Sequence, residues 1–382
     1  MKPGSLTRES VKSQTAIVVL AYADYESLEL ALASHAKFTV NSGLPIYILQ
    51  NGRGTYDTER TCSVGKRYQS LFPETVKVIT DILPQKPYAA IRQLFHEEVF
   101  SKYRYIIKLD DDVMVLTPDW VDKLIDTYIQ SCEREGESLA YVTSLVNNNP
   151  YGFKKLIDSF EELSEEYYTR MARRHLVGCA PDDNYNPYRI IPKETIFDGG
   201  FGTVWQLPYL GRWIHEKTTL KPEQYIDMTR NLKIEEIDAR ARYSINCMLF
   251  EKNLWDEIYN GGGDDEHMFH VYCMLNGKKI YANLSVPMVH LAFASQRDEI
   301  RDMIPQIRDV YTAFFAHPFP ISLCSDRLIE LENRLRFMEK NNKPGISNTK
   351  VGKKIQGGIQ CYHEHGLKYT VNRTLEHLHV KR

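Results

Sequence analysis

Three consecutive carboxylates, Asp110, Asp111 and Asp112, follow a short apolar segment at residues 106–109 that predicts a buried strand. Buried carboxylates are costly unless a partner compensates their charge. Because there is no basic residue among the three acids, the run favours a bound cation. Anionic ligation through oxygen suits a hard ion such as Mg²⁺ or Mn²⁺. The alternative is a solvated acidic turn that caps the following helix.

The elements around this run alternate between strand and helix. Ligands of open α/β sheets gather at the carboxyl ends of the strands, where a hard metal ion most often holds a phosphate. The order predicts a mostly parallel sheet with nucleotide-binding topology. Apolar runs predict strands at residues 16–22, 45–50, 76–82, 105–109 and 139–145, and helical spacing predicts helices at 26–40, 88–100 and 118–132.

A second α/β rhythm follows a less regular middle. A charged helical stretch is predicted at residues 153–176, and a glycine break at 261–263 precedes a predicted helix at 264–275. Strands are predicted at 279–282 and 286–291, and the chain becomes helical after about residue 300. We therefore expect a flexible N-terminus (1–14), a catalytic domain (15–298) with an insert at about 150–240, and a helical C-terminal extension (299–382).

Composition narrows the class of protein. The 382 residues carry a net charge of −2 with a pI near 6.6, which gives no global case for nucleic-acid binding. Seven scattered cysteines without a CxxC pair favour free thiols in a reducing compartment. The polar N-terminus lacks a signal core, and no stretch approaches ~20 apolar residues. We expect a cytoplasmic protein that can touch a membrane peripherally.

Several further motifs lie in a consistent order around the acidic run. They are Ala21-Tyr22-Ala23-Asp24 at the first strand end, Gln50-Asn51-Gly52 at the second, Ala89-Ala90-Ile91-Arg92-Gln93, Pro118-x-Trp120, the acids Asp264-Asp265-Glu266 ahead of Gly277, and Val289-His290-Leu291. Together with the DxD pattern of Asp110 and Asp112, this set resembles family-2-like glycosyltransferases of the GT-A fold, over residues ~15–295. The departures are Ala23, Gln50 and Asp264, which stand where the family has Asn, Asp and Glu.

The resemblance implies a Rossmann-like, mostly parallel mixed sheet flanked by helices and a metal-dependent, inverting sugar transfer. It implies that Asp112 ligates Mn²⁺ or Mg²⁺, that Asp110 contacts the ribose or a metal-bound water, and that His290 is a further ligand. Asp111 points to the opposite pleat and is either structural or a partner of these ligands. The implied donor site, with a UDP-sugar favoured, comprises Ala21, Tyr22, Asn51, Arg92, Asp110 and Asp111.

Inversion needs a general base that takes the proton of the acceptor hydroxyl. We predict Asp265, because a helix N-terminus stabilises a carboxylate at that position. Asp264 and Glu266 are the competing candidates, and an N-cap cluster without catalytic function would account for one or two of the three acids.

The acceptor is predicted only as a glycan or a lipid-linked hydroxyl of polysaccharide or cell-surface glycan synthesis. Trp205, Tyr209, Trp213 and residues 216–219 are candidates for sugar contacts, with core packing as the alternative. Residues 350–382 carry seven basic and two acidic residues, and their apolar residues recur at roughly helical spacing. This pattern favours either binding to a membrane surface or packing on the domain. The other functions considered are a non-catalytic glycan- or partner-binding scaffold and a sugar nucleotidyltransferase, whose glycine-rich segment is missing here.

Overall fold

A computed structural model of the chain describes residues 6–171, 208–238, 245–258, 265–291 and 296–315. The functional candidates discussed below that fall in these ranges belong to one compact unit, residues 1–53 and 60–317. Its strands are β1 (Thr15–Ala21), β2 (Ile46–Gln50), β3 (Val76–Ile79), β4 (Tyr105–Asp110), β5 (Val113–Val115), β6 (Leu139–Val146), β7 (Ile234–Ile237), β8 (Cys247–Glu251) and β9 (Lys279–His290).

The three helices predicted in the first half of the chain are present, and further helices lie before, between and after them. The described helices are α1 (Arg8–Lys12), α2 (Tyr25–Phe38), α3 (Tyr56–Leu71), α4 (Pro87–His96), α5 (Trp120–Glu135), α6 (Pro150–Ser159), α7 (Glu161–Glu166), α8 (Pro208–Lys217), α9 (Pro222–Thr229), α10 (Leu254–Ile258), α11 (Asp265–Leu275) and α12 (Arg297–Phe315). Among the described helices, none combines the length and the apolarity that crossing a membrane requires.

The described strands form one mixed sheet in the order β3-β2-β1-β4-β8-β6-β9-β5, with β7 on β9. Strands β1, β2, β3 and β4 pair in parallel, whereas β8 runs antiparallel to both β4 and β6. The apolar runs of β1 and β2 are buried almost throughout, as expected for strands of a parallel sheet that is covered by helices. The predicted α/β fold with a sheet flanked by helices is confirmed.

The N-terminal segment differs from its prediction. Part of the stretch predicted to be flexible forms α1, whose cap is the Thr7 side chain. Arg8 donates to Asp126 with its Nε at 2.8 Å, and Lys12 donates to Asp122 at 2.7 Å, so both basic residues tie α1 to α5. The cap and the two ion pairs to a neighbouring helix account for a helix here despite the polar composition of the segment.

Strand β9 also differs from the sequence prediction of two separate strands. It is continuous from Lys279 to His290, with a register jump against β6 between the pairs Ser144–Asn283 and Leu145–Pro287. Pro287 lacks an amide donor, and a bulge is where a strand tolerates proline. Neither the three-residue strand β5 nor helix α3 was predicted, and β5 proves central to the site.

Candidate functional site

Three of the predicted site residues come together at one edge of the sheet. Ligand atoms of Asp110, Asp112 and His290 all lie within 4.8 Å of one another. Asp110 ends β4, Asp112 follows in the turn to β5, and His290 ends β9. Two carboxylates and an imidazole form a donor set that suits Mn²⁺. Mg²⁺ can also bind there, through the carboxylate oxygens.

Strand β5 is what brings Asp112 to His290. It pairs antiparallel with β9, and Val113 lies opposite His290 in the register. The imidazole Nε2 of His290 lies 3.2 Å from Oδ2 of Asp112, and the Leu291 amide donates to the Asp112 carbonyl at 3.0 Å. Burial alone would lower the pKa of His290, but the charge and hydrogen bond of Asp112 outweigh it and raise the pKa to about 9.

Asp110 is held at both of its carboxylate oxygens. Lys108, buried to 2% exposure inside β4, donates from Nζ to Oδ1 of Asp110 and to the carbonyl of Ile245 at 2.9 Å. Asn246 donates from Nδ2 to Oδ2 of Asp110 at 2.9 Å. No basic residue lies among the three acids in the sequence, but Lys108, two residues before Asp110 on the same strand face, pairs with Asp110 in the fold.

Asp111 faces a different partner. Its Oδ2 accepts a hydrogen bond of 3.0 Å from the backbone amide of Tyr22, just after β1. Burial, with the nearby charges of Asp112 and Asp24, raises the pKa of Asp111 well above its ordinary value. The acid thus joins the ends of β1 and β4 and lies outside the three-ligand cluster.

The donor-site candidates on β1 and β2 lie at neighbouring strand ends. Ala21 is buried opposite Gln50, whose Nε2 donates to the Tyr22 carbonyl at 2.9 Å. The Tyr22 side chain is 57% exposed beside this edge. Asn51 is buried, and both polar atoms of its amide bond the backbone of Gln85, so Asn51 holds the loop between β3 and α4.

Arg92 does not join the acidic cluster through any contact of the described residues. Its Nε donates to Oδ1 of Asp256 at 2.7 Å, and His96 approaches the same oxygen at 3.0 Å. This half-exposed group links α4 to α10. The buried rings of Tyr88 and Trp255 make the same connection, with centroids 4.7 Å apart.

Of the three candidate bases, the structure describes the side chain of Glu266 alone. Asp264 lies outside the described residues, and of Asp265 only the backbone is described, as the first residue of α11. Glu266 is half-buried in the first turn of this helix. Burial, together with Cys273 and Glu266, raises the pKa of Tyr141.

The predicted acceptor-side residues fall into three groups: some are buried in the core, Tyr209, Glu216 and Lys217 are half-buried or exposed, and the rest lie outside the described residues. Trp213 is buried, packs its ring at 5.8 Å from that of Phe153, and donates from Nε1 to Glu166 at 3.1 Å. Thr218 and Thr219 are fully buried. Core packing therefore accounts for these three, whereas Trp205 and residues 350–382 lie outside the described residues.

Some supporting residues were not predicted, although the sequence carries a signal for two of the groups. A lysine inside an apolar strand needs a buried anion, and three successive asparagines after a strand need hydrogen-bond partners. Neither signal identifies the partner. The unpredicted residues that contact the cluster or its neighbours are Lys108, Asn246, Asn147, Asn148 and His215.

No family model and no curated protein matches the chain. Among solved structures, GalNAc-T7 with UDP, GalNAc and Mn²⁺ is 13% identical, with 90% of this chain and 58% of that chain covered, at a TM-score of 0.41. Glucosyl-3-phosphoglycerate synthase from Mycobacterium tuberculosis with Mn²⁺, UDP-glucose and phosphoglyceric acid is 13% identical, with coverages of 83% and 86% and a TM-score of 0.36.

A mannosyltransferase from Pyrobaculum calidifontis in complex with GDP-Man and Mn²⁺ is 10% identical, with coverages of 92% and 87% and a TM-score of 0.30. The chain thus spans less than two thirds of the GalNAc-T7 chain.

Proposed function

We propose that this protein is a metal-dependent glycosyltransferase of the GT-A type, which moves a sugar from a nucleotide-diphosphate sugar to a hydroxyl group. The observation that carries the proposal is the convergence of Asp110, Asp112 and His290 within 4.8 Å, at the strand ends where α/β sheets bind nucleotides. A divalent cation held by these side chains supplies charge stabilisation for the nucleotide diphosphate leaving group.

The protein's own residues account for the rest of the donor site in this proposal. Asp111 accepts a hydrogen bond from the Tyr22 amide, which joins Tyr22 to the end of β4, and in this proposal the exposed Tyr22 ring stacks on the nucleobase. Asn51 and Ala21 shape the neighbouring strand ends. We keep Arg92 as a donor contact by resemblance only, since its described partner is Asp256. A UDP-sugar is the favoured donor.

For the reaction itself we propose inversion at the anomeric carbon, with one carboxylate of residues 264–266 as the base. The base takes the proton of the acceptor hydroxyl as this oxygen attacks, and the nucleotide diphosphate departs on the opposite face of the sugar. Asp265 is the preferred base, since it begins α11 and the positive end of a helix stabilises its charge.

We propose a glycan or lipid-linked acceptor, on the cytoplasmic side, with residues 350–382 on an anionic membrane surface. The basis is the excess of seven basic over two acidic residues in that tail. Co-sedimentation of the full chain with anionic and neutral vesicles tests this, and binding that ignores lipid charge contradicts it.

A nucleotide screen tests the proposed function directly. The unfolding midpoint of the full chain is measured with UDP, GDP, dTDP and CMP, each with and without Mn²⁺. A nucleotide that stabilises the protein only with Mn²⁺ supports the site and identifies the base, because a ligand that binds the folded state raises its stability.

Release of the free nucleotide from the matching nucleotide sugar then distinguishes an enzyme from a binding scaffold. A scaffold binds the nucleotide with Mn²⁺ but releases no product on any acceptor. If no nucleotide gives a Mn²⁺-dependent shift, the proposed function is wrong.

A further inference from the structure

A group of buried polar side chains lies directly behind the proposed metal ligands. It comes from the turn after β6 and from the end of α8, and we call it the asparagine–histidine network. Each member is less than 1% exposed, which is unusual for residues of these types. Its members are Asn147, Asn148, His215, Thr218 and Thr219.

The first half of the network orients His290. The Nδ1 of His290 lies 2.9 Å from the carbonyl of Asn148, and since a carbonyl only accepts, Nδ1 carries the hydrogen. This leaves Nε2 facing Asp112. The backbone amide of His290 donates to Oδ1 of Asn147 at 3.0 Å, and Asn147 in turn donates to Thr218 at 2.8 Å.

In the second half of the network, His215 bonds the backbone just after the end of β9. Its Nε2 lies 2.8 Å from the carbonyl of Leu291, so Nε2 is the donor and Nδ1 accepts from the Thr219 hydroxyl at 2.6 Å. Burial lowers the pKa of His215 to about 4, which keeps the ring neutral. The amide of the same Leu291 donates to the carbonyl of Asp112, so His215 holds the residue that follows His290 and bonds the backbone of Asp112.

We propose that His215, with Thr219, is a positioning residue that holds His290 and Asp112 at ligation distance, so that α8 contributes to the affinity for a divalent cation. The inference rests on the proposed metal site and assigns a role to part of the segment predicted as an insert. Residues that orient metal ligands from behind typically contribute about 10- to 100-fold in metal affinity. A purely structural residue would change stability but leave affinity unchanged.

A matched control lies elsewhere in the same protein. His35 is also buried, its pKa is also lowered to about 4 by burial, and its Nδ1 lies 3.0 Å from Oγ1 of Thr39, four residues along the helix. His215 and Thr219 have the same spacing and the same pair of atoms. The difference is that His35 has no described hydrogen bond to β9 or to the turn at Asp112.

The experiment measures binding of Mn²⁺ alone to the full chain, by the electron paramagnetic resonance signal of free Mn²⁺, and the unfolding midpoint without metal. We expect His215→Leu to weaken Mn²⁺ binding about 10-fold or more. His215→Gln should stay within about threefold of wild type, because its amide nitrogen can donate to the Leu291 carbonyl. His35→Leu should lower the midpoint but keep the wild-type affinity.

The possible results separate the two proposals. Equal Mn²⁺ affinity in His215→Leu and wild type overturns the positioning role, while the metal site stands if Asp112→Ala abolishes binding. If wild type and Asp112→Ala bind Mn²⁺ equally, the proposed metal site fails and the inference fails with it. If His215→Leu does not fold, Thr219→Val decides, since it removes one hydroxyl at constant volume: weaker Mn²⁺ binding supports the role, and unchanged binding overturns it.

Discussion

The imidazole Nε2 of His290 and the Oδ2 atom of Asp112 lie 3.2 Å apart, across two antiparallel strands from distant parts of the chain. Because Asp112 raises the pKa of His290 to about 9, the metal-free protein carries an ion pair here at neutral pH. Metal ligation requires the neutral imidazole. The cation and the proton therefore compete for the same nitrogen.

We predict that Mn²⁺ affinity rises with pH, by about tenfold per unit for one displaced proton, and flattens above a pH of about 9. Calorimetric titration in buffers of different ionisation enthalpy, from pH 6.5 to 8.5, measures the released proton. His290→Gln should bind more weakly and show a slope smaller by one proton. An unchanged slope in this variant would assign the proton to another group.

The stability of the metal-free fold depends on pH in the opposite direction to the Mn²⁺ affinity. A histidine with a raised folded pKa stabilises the metal-free fold fully below its unfolded value near 6.5, and this contribution is lost as pH rises through about 9. Raising the pH therefore weakens the metal-free protein at this pair while it strengthens metal binding.

Asp112→Ala should abolish Mn²⁺-dependent nucleotide binding and sugar transfer, because it removes one of the three clustered ligands. The fold should survive, since Asp112 lies in a turn and its backbone bond to Leu291 does not need the side chain. Thermal shift with nucleotide and Mn²⁺ measures the loss. Asp111→Asn is the neighbouring control and should retain more binding, and wild-type affinity in Asp112→Ala would contradict the assignment.

Asp265→Asn should lose about 10²- to 10⁴-fold in turnover and keep donor binding, because a general base acts on the acceptor and not on the nucleotide. Steady-state kinetics with parallel Asp264→Asn and Glu266→Gln variants measures which acid matters. An inactive Asp264→Asn enzyme beside a near-normal Asp265→Asn enzyme would move the base by one residue.

Gly152→Ala should destabilise the protein by about 3 kcal/mol, or prevent folding, because the added Cβ would lie 1.7 Å from the backbone oxygen of Val146. Gly152 lies in the first turn of α6, where its amide donates to Oδ1 of the N-cap residue Asn149 at 2.7 Å.

Denaturant unfolding of Gly152→Ala and of Gly65→Ala provides the comparison. The Cβ added at Gly65 meets only side-chain carbons at 3.3 Å and beyond, so that variant should stay within about 1 kcal/mol of wild type. Equal midpoints for the two variants would contradict the close approach at Gly152.

The parallel half of the sheet could be predicted because β1 and β2 are almost entirely apolar, and β4 is apolar apart from Lys108 and its last residue, Asp110. The same logic places Asp110 at a carboxyl strand end. Strand β5 could not be predicted, since three apolar residues show no period. Without β5, nothing in the local sequence indicates that Val113 lies opposite His290.

The residues that orient the proposed metal ligands could not be predicted, for a different reason. His290 bonds Asn148 across 142 positions, and His215 bonds Leu291 across 76. No local periodicity encodes such pairs, since each polar group requires a partner but does not specify one. The motif resemblance identified His290, yet the residues that orient it, Asn147, Asn148 and His215, belong to none of the motifs that carry the resemblance.

Lys108 has a consequence for the biosynthesis of this protein. Asp110 leaves the ribosome roughly 180 residues before His290, a delay of about 10 to 40 s at ordinary elongation rates. His290 is absent throughout that interval, and Asn246 is absent until 136 further residues have been added. Lys108, in contrast, has already been synthesised and lies two residues away on the same strand. The nascent domain thus carries its own counter-ion for Asp110 and can begin to pack β4 before any metal site is complete.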